Sequence, residues 1–394
     1  MTSLRPLAIA AGPDAVAALP ALRRALDGEF AALPYAASAP SPPTPAGAVP
    51  DEGTALVVGT SGSTGSPKLA MLPAAALAAS VAASHERLGG AGAWLLAMPP
   101  HHIAGVQVLL RCVAAGTLPG FVDLSDGFTP EAFTRAATAF ARSGARTRRY
   151  TALVPTQLVR LLADEQATAA LAELDAVLVG GAASPPALLA RARAAGVRAV
   201  TTYGMSETCG GCVYDGDPLT GTVVRADPDG RLLLGGPTLA TGYLGRPDLT
   251  AAAFSTDEDG ARWFRTDDVG HRDDDGRWHV DGRVDDLITT GGLKVAPRLV
   301  EEALTALPGI AEAVVVGTPD DQWGQVVSAA VVPHPGAAGG GSATPTVTAL
   351  REQLRGILPS HALPRRLLVL TAIPLRGPGK PDRLAVADRF ASDA

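Results

Sequence analysis

The chain has 394 residues, 47% of them hydrophobic, enough to bury a large core in two or more domains without disulfides. Its net charge of -6 excludes the basic footprint that duplex DNA or RNA demands, so nucleic acid is not an expected partner. No apolar run approaches the roughly 18 to 20 residues that span a bilayer, and the N-terminus lacks a charged leader before a sustained apolar segment, so a cytoplasmic protein without membrane insertion is expected.

In chain order, residues 1–50 are rich in Ala and Pro and predict one short helix around Pro20 to Leu26, then a Pro-punctuated loop from Ala39 to Pro50. A core strand follows at Thr54 to Val58, ending in the turn Gly59 to Gly65, and the Ala-rich stretch after Pro73 reads as a helix. Apolar runs recur at Trp94 to Met98, Thr151 to Val154, Ala176 to Val179 and Ala199 to Thr202, separated by helix-like segments. That alternation predicts an α/β fold with a mainly parallel, helix-covered sheet. From Gly221, short strands with turns at Asp229-Gly230, Asp259-Gly260 and Asp275-Gly276 predict a small β-rich subdomain. Beyond Asp285 come a helix at Pro297 to Leu307, strands at Ala313 to Val316 and Val326 to Val332, and a helix around Val347 to Leu358, with Pro333 to Thr346 expected as a surface loop. The expected domains are therefore 1–284 and a small α+β unit at 285–394.

The three cysteines are Cys112, Cys209 and Cys212. The CxxC pair Cys209 and Cys212 reads as small residues lining a packed pocket, since no thioredoxin-like context surrounds it.

Gly59-Thr60-Ser61-Gly62-Ser63-Thr64-Gly65-Ser66-Pro67-Lys68 is a phosphate-handling loop leaving a strand. Glycines let backbone amides converge, hydroxyls donate to phosphate oxygens, and a lysine offsets negative charge. Pro67 rules out a Walker A loop. Four further segments follow it: Thr202-Tyr203-Gly204-Met205-Ser206-Glu207-Thr208; Trp263-Phe264-Arg265-Thr266-Asp267-Asp268; Gly282-Arg283-Val284-Asp285-Asp286-Leu287-Ile288 with Gly291-Gly292; and Pro374 to Arg383 around Lys380.

In that order the segments resemble those of the acyl-adenylate-forming superfamily of acyl-CoA synthetases, adenylation domains and luciferases, over nearly the whole chain. The resemblance implies an enzyme that uses ATP and Mg²⁺ to form an acyl-adenylate, with a small mobile C-terminal domain. It implies nucleotide contacts from Thr60, Ser61, Ser63, Thr64, Lys68, Gly181, Tyr203, Gly204, Ser206, Asp268 and Arg283. Tyr203 is to pack on adenine, Ser206 to contact the α-phosphate, Glu207 to ligate Mg²⁺ and Asp268 to take the ribose hydroxyls. Carboxylate oxygen is the hard ligand that Mg²⁺ prefers. Asp267 departs from the pattern, which has Gly there. Asp285 is implied as the pivot of the small domain, and Lys380 as the cation over the reacting carboxylate and α-phosphate.

Trp323, Gly291 and Gly292 resemble the CoA-binding positions of CoA ligases, with a partly buried core aromatic as the second reading of Trp323. No attached phosphopantetheine-carrier domain is expected, so free coenzyme A is the expected acceptor. Met98 to Gly105 resembles the segment whose histidine, here His102, sits at the mouth of the acyl pocket, where Gly204 is also expected. Farther along the same presumed helix stands Arg111, a charge among Val108, Leu109, Leu110, Cys112 and Val113. A buried cation needs a partner, and two readings stay open: an internal salt bridge, or a clamp on a second, non-reacting carboxylate of the substrate. The phosphate loop stands nearer the N-terminus than is usual for the superfamily. With that truncation, the Thr-Tyr-Gly-Met-Ser-Glu-Thr-Cys segment and the run Val154 to Leu162 look most like o-succinylbenzoate:CoA ligases of menaquinone biosynthesis. Another aromatic or fatty acid, or a non-catalytic nucleotide-binding relative, are the alternatives. A homodimer is compatible with the sequence.

Overall fold

The computed structural model describes residues 2–60, 68–125, 127–142, 147–334, 345–376 and 380–392, with Arg376 and Lys380 described by their backbone alone. Statements about absence or number below refer to these residues.

The strands Leu4–Ile9, Ala31–Ala36 and Thr54–Gly59 run parallel in one sheet, which Leu69–Pro73 and Gly242–Tyr243 extend in antiparallel fashion. Sequence reading missed the first two strands. Ala and Pro disfavour strands, but burial of Ala31 to Pro34 overrides propensity here. Pro34 is tolerated because pairing with Thr54–Gly59 is confined to Ala32 opposite Leu56.

A second sheet has seven strands in the order Asp217–Pro218, Gly210–Tyr214, Ala199–Met205, Ala176–Val179, Arg148–Leu153, Gly92–Leu96, Gly120–Phe121. The last five are parallel. The apolar residues of Gly92–Leu96, Arg148–Leu153 and Ala176–Val179 are mostly buried, under helices such as Ala74–Arg87, Ile103–Ala115 and Pro186–Ala194, as parallel strands require, while those of Ala199–Met205 and Gly120–Phe121 are mostly half-buried. All five chains leave the sheet at the same edge. There lie the segment before Ile103, Val154, Gly180-Gly181 and Ser206-Glu207, the position at which open α/β sheets bind ligands.

An antiparallel sheet follows, ordered Val223–Ala226, Arg231–Gly235, Arg262–Arg272, Phe254–Thr256, with Trp278–Arg283 also on Arg262–Arg272. Its tight turns close just where the three Asp-Gly pairs stand. After the short 3-10 helix Val284–Asp286, the chain forms a fourth sheet with its own apolar clusters. The expected strands extend into a long hairpin, Ile310–Asp320 with Gly324–Pro333, flanked by the helices Pro297–Thr305, Val347–Leu354 and Arg383–Ser392. Most of the expected loop Pro333 to Thr346 lies outside the described residues. The architecture is α/β: a large N-terminal part with helix-covered sheets and a β-rich subdomain, and a small α+β C-terminal part. No described helix is long and apolar enough to cross a membrane.

Candidate active site

Ala199–Met205 runs straight into the short 3-10 helix Ser206–Thr208, which buries Glu207 to 7% exposure. The Tyr243 hydroxyl donates to Glu207 Oε1 at 2.8 Å. Burial pushes the Glu207 carboxyl above its ordinary range, while that hydrogen bond and the charge of Lys68 pull it back. Lys68 Nζ lies 5.4 Å from the Tyr243 ring centroid. Ser206 Oγ donates to the Gly59 carbonyl at 3.3 Å, and Thr60 N donates to the Lys68 carbonyl at 2.8 Å. The structure therefore gathers Thr60, Lys68, Ser206 and Glu207 around both ends of the loop; Ser61, Ser63 and Thr64 lie outside the described residues. A buried carboxylate beside a lysine suits a nucleotide-borne Mg²⁺, which takes one or two carboxylates and keeps its other oxygens from water and phosphate. Tyr243 escaped sequence reading because it lies in a two-residue strand held by long-range pairing, Gly242 opposite Met71 and Tyr243 opposite Ala70.

Within the same strand, the Tyr203 hydroxyl donates to Asp268 Oδ2 at 2.8 Å. Burial, then the charge of Asp268, pushes the Tyr203 phenol well above its ordinary range. Asp268 stands opposite Arg283 in the register of the antiparallel sheet, with Nη1 to Oδ1 at 3.4 Å. Gly204 is required by close approach, since a Cβ there would meet the Gly210 carbonyl oxygen at 2.1 Å. Gly181 occupies the turn after Ala176–Val179.

His102 is the residue before the helix Ile103–Ala115, its ring centroid 4.3 Å from that of His101. Burial, with help from His102, pushes His101 down to about 4, so it is neutral at physiological pH. Arg111, 3% exposed, donates from Nη2 to Ser84 Oγ at 3.1 Å and to the Tyr214 hydroxyl at 3.3 Å. Its guanidinium lies 4.6 Å from the Trp94 ring centroid, and its Nε has no hydrogen-bond partner. Among the described residues no carboxylate pairs with Arg111, so the internal salt bridge is not found. One turn earlier, Gln107 Nε2 donates to the Cys209 carbonyl at 2.5 Å and to Ser80 Oγ at 3.3 Å, and its Oε1 is buried without a partner. Ser80, Ser84, Gln107 and Tyr214 carry no local motif, which is why sequence reading passed over them.

In the small C-terminal part, Gly291 N donates to the Trp323 carbonyl at 3.0 Å. With φ at +57° and a notional Cβ 2.7 Å from the indole, Gly291 leaves no room for a side chain. Arg365 lies over the Trp323 ring, 4.3 Å from its centroid, and Gly292 faces open space. Asp285 is exposed at the centre of Val284–Asp286. Lys380 lies in a two-residue strand paired with Leu375–Arg376. These residues form groups of their own. Cys209 and Cys212 are fully buried free thiols, both pushed up by burial, Cys212 to about 12.

Residues 9–244 match the model of the AMP-binding enzyme family, and residues 299–380 match the C-terminal domain of AMP-binding enzymes. The chain belongs to the AMP-binding enzyme family. This AMP-binding enzyme is 47% identical to a probable 2-succinylbenzoate–CoA ligase of Mycobacterium tuberculosis, over 99% of its own length and 100% of that relative. It is 30% identical to a 2-succinylbenzoate–CoA ligase of Listeria innocua, over 86% of its own length and 71% of that protein. Among solved structures, o-succinylbenzoate CoA synthetase from Bacillus subtilis, in complex with the acyl-adenylate intermediate, matches with TM-score 0.67 and 26% identity, over 84% of this AMP-binding enzyme and 69% of that chain. The amide bond synthetase McbA from Marinactinospora thermotolerans matches with TM-score 0.74 and 28% identity, over 97% and 80%.

Proposed function

We propose that this acid:CoA ligase acts on o-succinylbenzoate, converting it through its acyl-adenylate to the CoA thioester, a step of menaquinone biosynthesis. The observation that carries the choice of acid is Arg111. A buried guanidinium held by two hydroxyls and an aromatic face, with no carboxylate on it among the described residues, keeps a charge that a substrate carboxylate can neutralise. Burial, and next the charge of Arg111, push His85 below its ordinary value. A dicarboxylate with one group reacting leaves the other for Arg111. The names of the Mycobacterium and Listeria relatives point to the same acid.

In the first half-reaction a carboxylate oxygen attacks the α-phosphate of ATP and pyrophosphate leaves. In the second, the CoA thiol attacks the activated acyl carbon and AMP leaves. Mg²⁺, when bound, offsets charge on the phosphates, and Glu207 is the carboxylate that would hold it. Thr60, Ser206 and Lys68 face the phosphates in this reading, with Ser61, Ser63 and Thr64 completing the loop. Asp268 and Arg283 hold the ribose, Tyr203, Gly204 and Gly181 flank the adenine, and His102 stands at the acyl entrance. Lys380 serves the adenylation step, and Gly291, Gly292 and Trp323 serve the CoA step. The division at Asp285 into 1–284 and 285–394 lets the two sets alternate.

The test is thioester formation with ATP, Mg²⁺ and CoA across a panel of acids, following AMP and pyrophosphate. The highest kcat/KM is expected for o-succinylbenzoate. A higher value for benzoate or a fatty acid would replace the substrate, and no pyrophosphate exchange with any acid would favour a non-catalytic relative.

A further inference from the structure

Asp267 stands where the resembling segment has glycine, and its carboxylate joins two arginines. Oδ1 pairs with Arg231, whose Nε also donates to the Thr266 carbonyl, and Oδ2 lies 3.5 Å from Arg283 Nη2. Arg283 in turn reaches Asp268 Oδ1 at 3.4 Å, and Asp268 Oδ2 accepts from the Tyr203 hydroxyl. The result is a charge-balanced chain, Arg231, Asp267, Arg283, Asp268, Tyr203, with two cations and two anions.

We propose that Asp267 is a positioning residue for nucleotide binding, resting on the reading of Asp268 and Arg283 as nucleotide residues. When ribose hydroxyls turn to the Asp268 carboxylate, they compete with Arg283 for it. Asp267 is the second anchor that keeps Arg283 in place at that moment. An additional carboxylate by itself would repel the triphosphate; Arg231 neutralises it. The element geometry supports this division. Arg231 comes from the neighbouring strand Arg231–Gly235 and is the less exposed partner, at 21% against 42% for Asp267 and 43% for Arg283. Pairs exposed to this degree are modest, so the effect belongs in KM and not in kcat.

The experiment measures steady-state kinetics of Asp267→Asn, Asp267→Glu, Arg231→Leu and the double variant Asp267→Asn with Arg231→Leu, each checked for folding by circular dichroism. Asp267→Asn should raise the KM for ATP about three- to tenfold, leaving kcat and the KM for the acid unchanged. Asp267→Glu, which keeps the carboxylate, should restore most of that loss. Arg231→Leu alone should also raise the KM for ATP, because it leaves Asp267 uncompensated, yet should add nothing in the Asp267→Asn background. An unchanged or lowered KM for ATP in Asp267→Asn would overturn the proposal, as would an equal effect of Arg231→Leu in both backgrounds. Asp268→Asn separates the two levels. If it weakens ATP binding while Asp267→Asn does not, only the positioning role fails; if neither does, the nucleotide reading fails with it.

Discussion

Cys209 and Cys212 show how burial decides the chemistry of a side chain. The thiolate is the reactive form, and burial raises the pKa of both thiols, so at pH 8 both are protonated and enclosed. Native protein should therefore leave both unmodified by iodoacetamide at pH 8, while denatured protein reacts fully, as read by mass spectrometry. Rapid alkylation of either cysteine in the native protein would show that the pair is accessible. The residue types at the site were legible wherever they sat in contiguous motifs, as Glu207, Asp268 and Arg283 did. Tyr243, Gln107, Ser80, Ser84 and Tyr214 were not, because each reaches its partner across the fold: Ser84 and Tyr214 stand 130 positions apart, their hydroxyl oxygens 3.0 Å from each other. Periodicity marked Arg111 as a charge in an apolar run but said nothing of what surrounds it.

At the scale of elements, the central strands were legible because parallel strands buried on both faces are continuous apolar runs. The strands Leu4–Ile9 and Ala31–Ala36 were not, since their Ala and Pro content carries no strand signal until neighbours bury it. The hairpin of Ile310–Asp320 with Gly324–Pro333 carries Trp323 at its turn and sets it against Gly291. Gly291→Val would drive a side chain into the indole from a backbone conformation that favours glycine. Thioester formation from separately supplied acyl-adenylate should fall at least tenfold, about 1.4 kcal/mol, with pyrophosphate exchange retained. Loss of exchange to the same degree would place Gly291 outside a CoA-specific role. Asp285, in the short 3-10 helix Val284–Asp286, is the proposed pivot. Proline there fixes its φ and restricts Val284. Asp285→Pro should slow thioester formation far more than adenylate formation in single-turnover assays, and equal slowing would argue against a pivot.

At the scale of the whole molecule, the proposed half-reactions use different residues of the small C-terminal part, Lys380 for adenylation and Gly291, Gly292 and Trp323 for the CoA step. Adenylation brings a carboxylate to an α-phosphate while charge builds on the phosphoryl oxygens, so a cation lowers that barrier directly. Lys380→Ala should therefore cost roughly 3 to 5 kcal/mol in adenylate formation and leave conversion of acyl-adenylate and CoA to thioester nearly intact. Comparable losses in both steps would make Lys380 structural. The proposed choice of acid rests on the large N-terminal part, where the helix Ile103–Ala115 places Arg111 among Ser84, Tyr214 and Trp94. The most direct measurement is kcat/KM for thioester formation from o-succinylbenzoate and from an analogue lacking the non-reacting carboxylate, in the native enzyme and in Arg111→Leu. The native enzyme should prefer the dicarboxylate by about 2 to 4 kcal/mol, and the variant should lose that preference while its KM for ATP stays unchanged. The same preference in both proteins would contradict the account.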